Sequence, residues 1–147
     1  MQTRKRILLI DDLPTNLTLF KTMLELEGYR VQTALGGEQA RHLMSEQDFD
    51  VIFLDVMMPG TDGLSLCRSF KQDRHLKEIP IIFLTALLDE RTRLDGFAAG
   101  ADAFLTKPAT FSQLNRVIEG VLDKNKRYPG DEYYAPTIEH AYSELAQ

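Results

Sequence analysis

Residues 7–10, 51–54 and 81–84 are apolar tetrads with no polar side chain inside them. A strand covered on one face alternates apolar and polar residues, so an unbroken tetrad indicates burial on both faces. Residues 31–34 form a weaker strand candidate and residues 103–105 a short one. Between these runs the apolar positions take a helical period. Leu17, Phe20 and Met23 or Leu24 line one side of a helix predicted over residues 14–27, with Pro14 suited to its first turn and Gly28 to its stop. Helices over residues 37–46 and 64–71 come next, and Gly36-Gly37 reads as a strand-to-helix turn. A helix over residues 89–99 begins on a capping acid and stops at Gly100. Phe111, Leu114, Val117, Ile118, Val121 and Leu122 mark the last helix, with Thr110 as its N-cap.

Regular alternation of strand and helix predicts right-handed crossovers, hence a parallel sheet with helices on both faces. The expectation is one doubly wound α/β domain ending near Asn125, so that residues 1–125 form the domain. Residues 126–147 change character. A basic patch and Pro129-Gly130 are followed by Tyr133, Tyr134 and Tyr142, and Ile138, Ala141, Tyr142 and Leu145 fall on one face of a short amphipathic helix. This segment reads as a tail or linker that docks on an apolar surface, in cis or in trans.

The chain has 147 residues, a formal net charge of −5 and a pI near 5.2. Nucleic acid and anionic membrane both favour basic faces, so neither is expected as a direct partner. No apolar stretch is long enough to cross a bilayer, and a cytoplasmic protein is the default expectation. Cys67 is the sole cysteine, which excludes an internal disulfide and suits a small core residue. His42, His75 and His140 lack metal-ligand spacing.

The chemistry lies at the strand ends. Asp11 and Asp12 follow the first tetrad and Asp55 follows the third. Ligands of doubly wound folds bind beyond the carboxyl ends of strands where the strand order reverses. With the order 2-1-3-4-5, the three carboxylates share one crevice. Crowded acids repel, and a hard divalent cation such as Mg²⁺ relieves the conflict while keeping room for a phosphate oxygen. The plainer alternative is that Asp11 or Asp12 caps the helix starting at Pro14, but capping leaves the third acid unexplained. Thr85 ends the fourth strand and Lys107 follows the fifth, which adds a hydroxyl donor and an ammonium suited to a phosphoryl group. Lys107-Pro108 reads as a rigid turn in which a cis bond is plausible.

These residues resemble the response-regulator receiver domain of two-component signalling. The matched pieces are Asp11-Asp12, the run from Asp55 through Met57, Met58, Pro59 and Asp62 to Gly63, then Thr85-Ala86, Gly100-Ala101-Asp102 and Lys107-Pro108. The resemblance covers about residues 6–125 and implies a flavodoxin-like (βα)₅ fold. It implies that Asp55 is the phosphoacceptor, with Mg²⁺ (or Mn²⁺) held by Asp12, Asp55 and the backbone carbonyl of Met57, and by Asp11 through water. Lys107 would pair with Asp55 or the phosphoryl group, Thr85 would hydrogen-bond a phosphoryl oxygen, and Phe104 would be the switch aromatic. The implied donor is a histidine kinase or a histidine phosphotransfer protein. Arg91, Arg93 and Arg116 lie on the fourth and fifth helices and read as solvated; the face of the fourth helix, fifth strand and fifth helix would serve partner docking or a homodimer, and the tail is the other dimer candidate.

Met57 and Leu87 would flank the phosphoryl group. Both are apolar, so neither orients an attacking water, and slow autodephosphorylation is expected. The chain is then a phosphoacceptor assisting its own chemistry, not a turnover enzyme. An aspartyl-phosphate hydrolase is the rival from the enzyme class, but it would need a general acid where Met57 stands. A binding module working without phosphate is the other rival, and the complete set Asp11, Asp12, Asp55, Thr85 and Lys107 counts against it.

Overall fold

The apolar tetrads are strands covered on both faces, as their lack of alternation requires. The computed structural model describes residues 4–58, 61–86 and 89–123. Its main strands are β1 (Arg6–Ile10), β2 (Arg30–Ala34), β3 (Val51–Leu54), β4 (Ile81–Thr85) and β5 (Ala103–Thr106). They alternate with α1 (Pro14–Leu26), α2 (Gly37–Glu46), α3 (Gly63–Gln72), α4 (Glu90–Ala98) and α5 (Phe111–Leu122). The five strands pair in parallel in the order β2-β1-β3-β4-β5. This is the flavodoxin-like (βα)₅ sheet expected, with the order reversing between β1 and β3. A small antiparallel pair, Met57–Met58 with Thr61–Asp62, lies between β3 and α3.

Successive side chains of a strand go to opposite faces, and the core divides accordingly. Ile7, Leu9, Val51, Phe53, Ile82, Leu84, Ala103 and Leu105 pack with Leu17, Phe20 and Leu24 of α1 and with Leu114, Val117 and Ile118 of α5. Leu8, Ile10, Ile52, Leu54, Ile81, Phe83 and Phe104 pack on the other side, with Ala40 of α2 and with Leu66, Cys67 and Phe70 of α3. On α1 the buried face uses Leu24, while Met23 is only half-buried. Cys67 is a core residue, as expected; burial pushes its thiol up to about 11 and its Sγ–H faces the Ala99 carbonyl at 3.6 Å.

Helix ends follow local chemistry. Thr110 and Gln113 form a reciprocal capping box on α5, and Asp89 caps α4 through the Thr92 amide at 2.7 Å. At the far end of α4, Gly100 adopts φ of +105°, a left-handed conformation that favours glycine. Its amide donates to the Phe97 carbonyl and that of Ala101 to the Gly96 carbonyl, each at 3.0 Å, closing a Schellman motif. Asp102 in the same matched segment is structural. Its Oδ2 accepts from the Ile81 amide and from Lys71 Nζ, both at 2.9 Å, and Lys71 Nζ also donates to the Ile79 carbonyl at 3.0 Å. One ammonium thereby ties α3 to the approaches of β4 and β5.

Candidate functional site

The strand ladders continue past the last strand residues and carry the polar side chains with them. The Asp11 amide donates to the Ala34 carbonyl at 3.1 Å, that of Asp55 to the Ile10 carbonyl at 3.1 Å, and that of Lys107 to the Thr85 carbonyl at 2.9 Å. Asp11, Asp55 and Lys107 stand two residues after Leu9, Phe53 and Leu105, so all three continue the pleat facing α1 and α5. They meet: Lys107 Nζ lies 2.6 Å from Asp11 Oδ2 and 3.0 Å from Asp55 Oδ2. Asp11 and Asp55 are buried and Asp12 is half-buried. One carboxylate oxygen from each of Asp11, Asp12 and Asp55 lies within 4.8 Å of the others.

The three acids have unequal freedom. Asp11 Oδ1 accepts from the Leu13 amide at 3.0 Å, and its Oδ2 accepts from Asn16 Nδ2 at 3.3 Å as well as from Lys107. Asp55 Oδ1 accepts from the Met57 amide at 3.1 Å. Among the described residues, the Asp12 carboxylate makes no hydrogen bond or ion pair. Burial alone would lower the Lys107 pKa, but hydrogen bonds to Asp11 and Asp55 and the charges of both outweigh it, holding the ammonium above its ordinary range. Three carboxylates against this one contacting cation leave two negative charges, 3 − 1, in a set of hard oxygen donors. That charge and donor type fit a divalent cation of the Mg²⁺ kind.

Helix capping does not account for these acids. The N-cap of α1 is Leu13, which makes no side-chain capping hydrogen bond; Asp11 instead anchors the turn before it. Thr85 is fully buried at the end of β4, with Thr106 opposite it on β5. Thr85 shares the pleat of Phe83, facing α2–α4, and Phe104 is its diagonal neighbour on that face. Phe104 is wholly buried. Lys107-Pro108 is cis. Met57 is 58% exposed beside Asp55. Leu87 and residues 126–147, to which the sequence assigned roles, lie outside the described residues.

Arg91 is exposed and pairs with Asp95 at 3.2 Å, and Arg116 is exposed. Arg93 departs from the solvated expectation: it is half-buried, its guanidinium 5.9 Å from the Phe97 ring centre. His42 lies 3.1 Å from Glu46 on the exposed side of α2.

The model of the response regulator receiver domain matches residues 7–119. The chain belongs to this family. Response regulator PleD of Caulobacter vibrioides is 43% identical over 103 residues, covering 70% of this chain and 23% of that protein. Chemotaxis protein CheY4 of Vibrio cholerae superposes with a TM-score of 0.77 at 29% identity, over 82% of this chain and all of that one (100%). The receiver domain of a Pseudomonas aeruginosa sensor histidine kinase, solved with magnesium in its active-site cleft, superposes with a TM-score of 0.74 at 32% identity, over 82% of this receiver and 98% of that one. The chain spans 23% to 55% of the length of the curated relatives it matches. Among the described residues no helix is long and apolar enough to cross a membrane.

Two residues of the receiver site had no role assigned from sequence. Asn16, in the first turn of α1, braces Asp11. Gly63, at the start of α3, packs against the loop that carries Asp55, and its amide donates to the Val56 carbonyl at 3.2 Å. A Cβ on Gly63 would fall 2.2 Å from the Asp55 carbonyl oxygen and 2.8 Å from Val56 Cα. Both are backbone atoms, so the loop holding Asp55 would have to move. Gly63→Ala is expected to destabilise the domain by about 1–3 kcal/mol, read as a lower urea midpoint at unchanged m-value. An unchanged midpoint would contradict the close approach.

Proposed function

We propose that this receiver takes a phosphoryl group from a histidine kinase or a histidine phosphotransfer protein onto Asp55, in phosphorelay signalling. The observation that carries it is the meeting of three acids and Lys107 at two reversing strand ends. Asp12 and Asp55 would ligate Mg²⁺ (Mn²⁺ would also suit the donors), together with the Met57 backbone carbonyl. Asp11, its oxygens already engaged by three donors, would act through water. The ion would offset negative charge on the acids and on the incoming phosphoryl.

The step forms a bond between an Asp55 carboxylate oxygen and phosphorus as the bond from phosphorus to the imidazole nitrogen breaks. The nitrogen keeps the electron pair and is then protonated, and the product is an acyl phosphate. Lys107, bridging Asp11 and Asp55 beforehand, is within reach of a phosphoryl oxygen and holds positive charge where negative charge accumulates. The Met57 amide holds Asp55 in place through Oδ1. Thr85 would hydrogen-bond a phosphoryl oxygen, and its diagonal neighbour Phe104 would relay the change to α4, β5 and α5. That is a population shift between two packings, biased only by contacts better made in one of them. The chain is then a phosphoacceptor that assists its own phosphorylation and slow autodephosphorylation. The receiver would be a cytoplasmic domain over residues 1–125 followed by a tail over 126–147, with docking or homodimerisation through the α4–β5–α5 face or the tail.

Mass spectrometry after treatment with acetyl phosphate and Mg²⁺ tests the acceptor. A single phosphoryl adduct is expected on Asp55 and none on the Asp55→Asn variant; an adduct that persists in the variant, or none on the parent, would overturn the assignment.

Met57 stands beside the acceptor with no polar group to orient water, and Leu87 has none either. Replacing Met57 with Asn and Leu87 with Glu is expected to speed loss of the phosphoryl group by about tenfold, less than the roughly 10²–10⁴-fold of a fully positioned general base. Equal decay in parent and double variant would show that these positions do not set the rate.

A further inference from the structure

Gly96 occupies the interior of α4 and is buried. A glycine in a helix interior is unfavourable relative to alanine, because it loses more backbone freedom on folding. Its backbone here has no left-handed φ that would require glycine. The reason is spatial. A Cβ at this position would fall 2.1 Å from Cζ of Phe104, 2.8 Å from Cε2 and 3.1 Å from Cε1. The nearest atom is the ring tip and the next two flank it, so Phe104 meets the helix backbone end-on. The ring is also held from its sides. Phe83 on the neighbouring strand lies 5.1 Å away at a 35° tilt, and Phe97 of α4 lies 5.3 Å away edge-to-face at 69°. Aromatic pairs at these separations favour such offset and edge-on arrangements.

We propose that Gly96 is the positioning residue that seats Phe104 inward, by leaving a gap in the surface of α4 that the ring tip fills whether or not Asp55 is phosphorylated. In this receiver the aromatic is not waiting outside for a signal. It is a strut between β5 and the backbone of α4, so a shift at the end of β4 reaches α4 through the ring without any rotation into a vacant pocket. Interiors are close-packed and a filled seat transmits displacement. The proposal rests on the preceding section only for the claim that Phe104 takes part in signalling.

Two measurements on the full chain test it. Ring-to-ring NMR contacts between Phe83 and Phe104 are expected in the untreated protein, are expected to persist in Asp55→Asn, and are expected to vanish in Gly96→Ala. Contacts that appear in the parent only after acetyl phosphate, or that survive in Gly96→Ala, would overturn the seat. Thermal unfolding of a double-mutant cycle guards against a simple failure to fold. Gly96→Ala is expected to lower the melting midpoint by several degrees in the parent. In a Phe104→Ala background it should leave the midpoint unchanged or raise it, since alanine is the better helix former once the ring is gone. Equal lowering in both backgrounds would also overturn the proposal. Neither readout needs phosphate to reach Asp55, so failure of the seat and failure of the acceptor chemistry are told apart.

Discussion

Repulsion among three carboxylates is the constraint around which this receiver is arranged. Two unit charges at the separation found here, up to 4.8 Å, repel by roughly 3–4 kcal/mol at an effective dielectric of about 20. A domain's whole stability is on the order of 5–15 kcal/mol, so the cluster persists only because other groups oppose it. Lys107 does so from β5, the Leu13 and Met57 amides from the following turns, and Asn16 from α1. The compensation is incomplete, and the residual negative charge fits the crevice to a divalent cation.

The same parity rule that builds the core sorts the functional groups. On the α1 and α5 side, the pleat brings Asp11, Asp55 and Lys107 together above a floor of Leu9, Phe53 and Leu105. On the other side it aligns Thr85 with Phe83 and Phe104, beneath α4. The acid–lysine cluster and the Thr85–Phe104 pair therefore occupy opposite faces of one sheet. A register slip of one residue in β4 or β5 would exchange the two sets. Gly63 and Gly96 serve these two faces in parallel ways. The first lets α3 approach the Asp55 loop, and the second lets Phe104 approach α4.

Much of this was legible in the sequence, because it depends on period and order. Unbroken tetrads marked doubly covered strands, Pro14, Gly100 and Thr110 marked helix ends, and the acids at the ends of the first and third strands marked the crevice. Other features were not legible, since they depend on distance and not on spacing. Nothing in the neighbourhood of Asn16 says that its amide reaches back to Asp11. Nothing local separates Gly96, which accommodates a ring, from a glycine that merely weakens a helix. The state of Phe104 was equally hidden: its place in the chain fits a movable aromatic, and only the packing of Phe83, Phe97 and Gly96 around it reveals a ring already seated. Arg93 looked like surface charge until its guanidinium was found over Phe97.

If acids far apart in sequence form one site for a divalent ion, calorimetric titration of the full chain with Mg²⁺ will read it. Saturable binding at one equivalent is expected, weakened at least tenfold by Asp12→Asn or Asp55→Asn, with the fold of each variant intact by circular dichroism. Binding of the same strength in the parent and in both variants would contradict it.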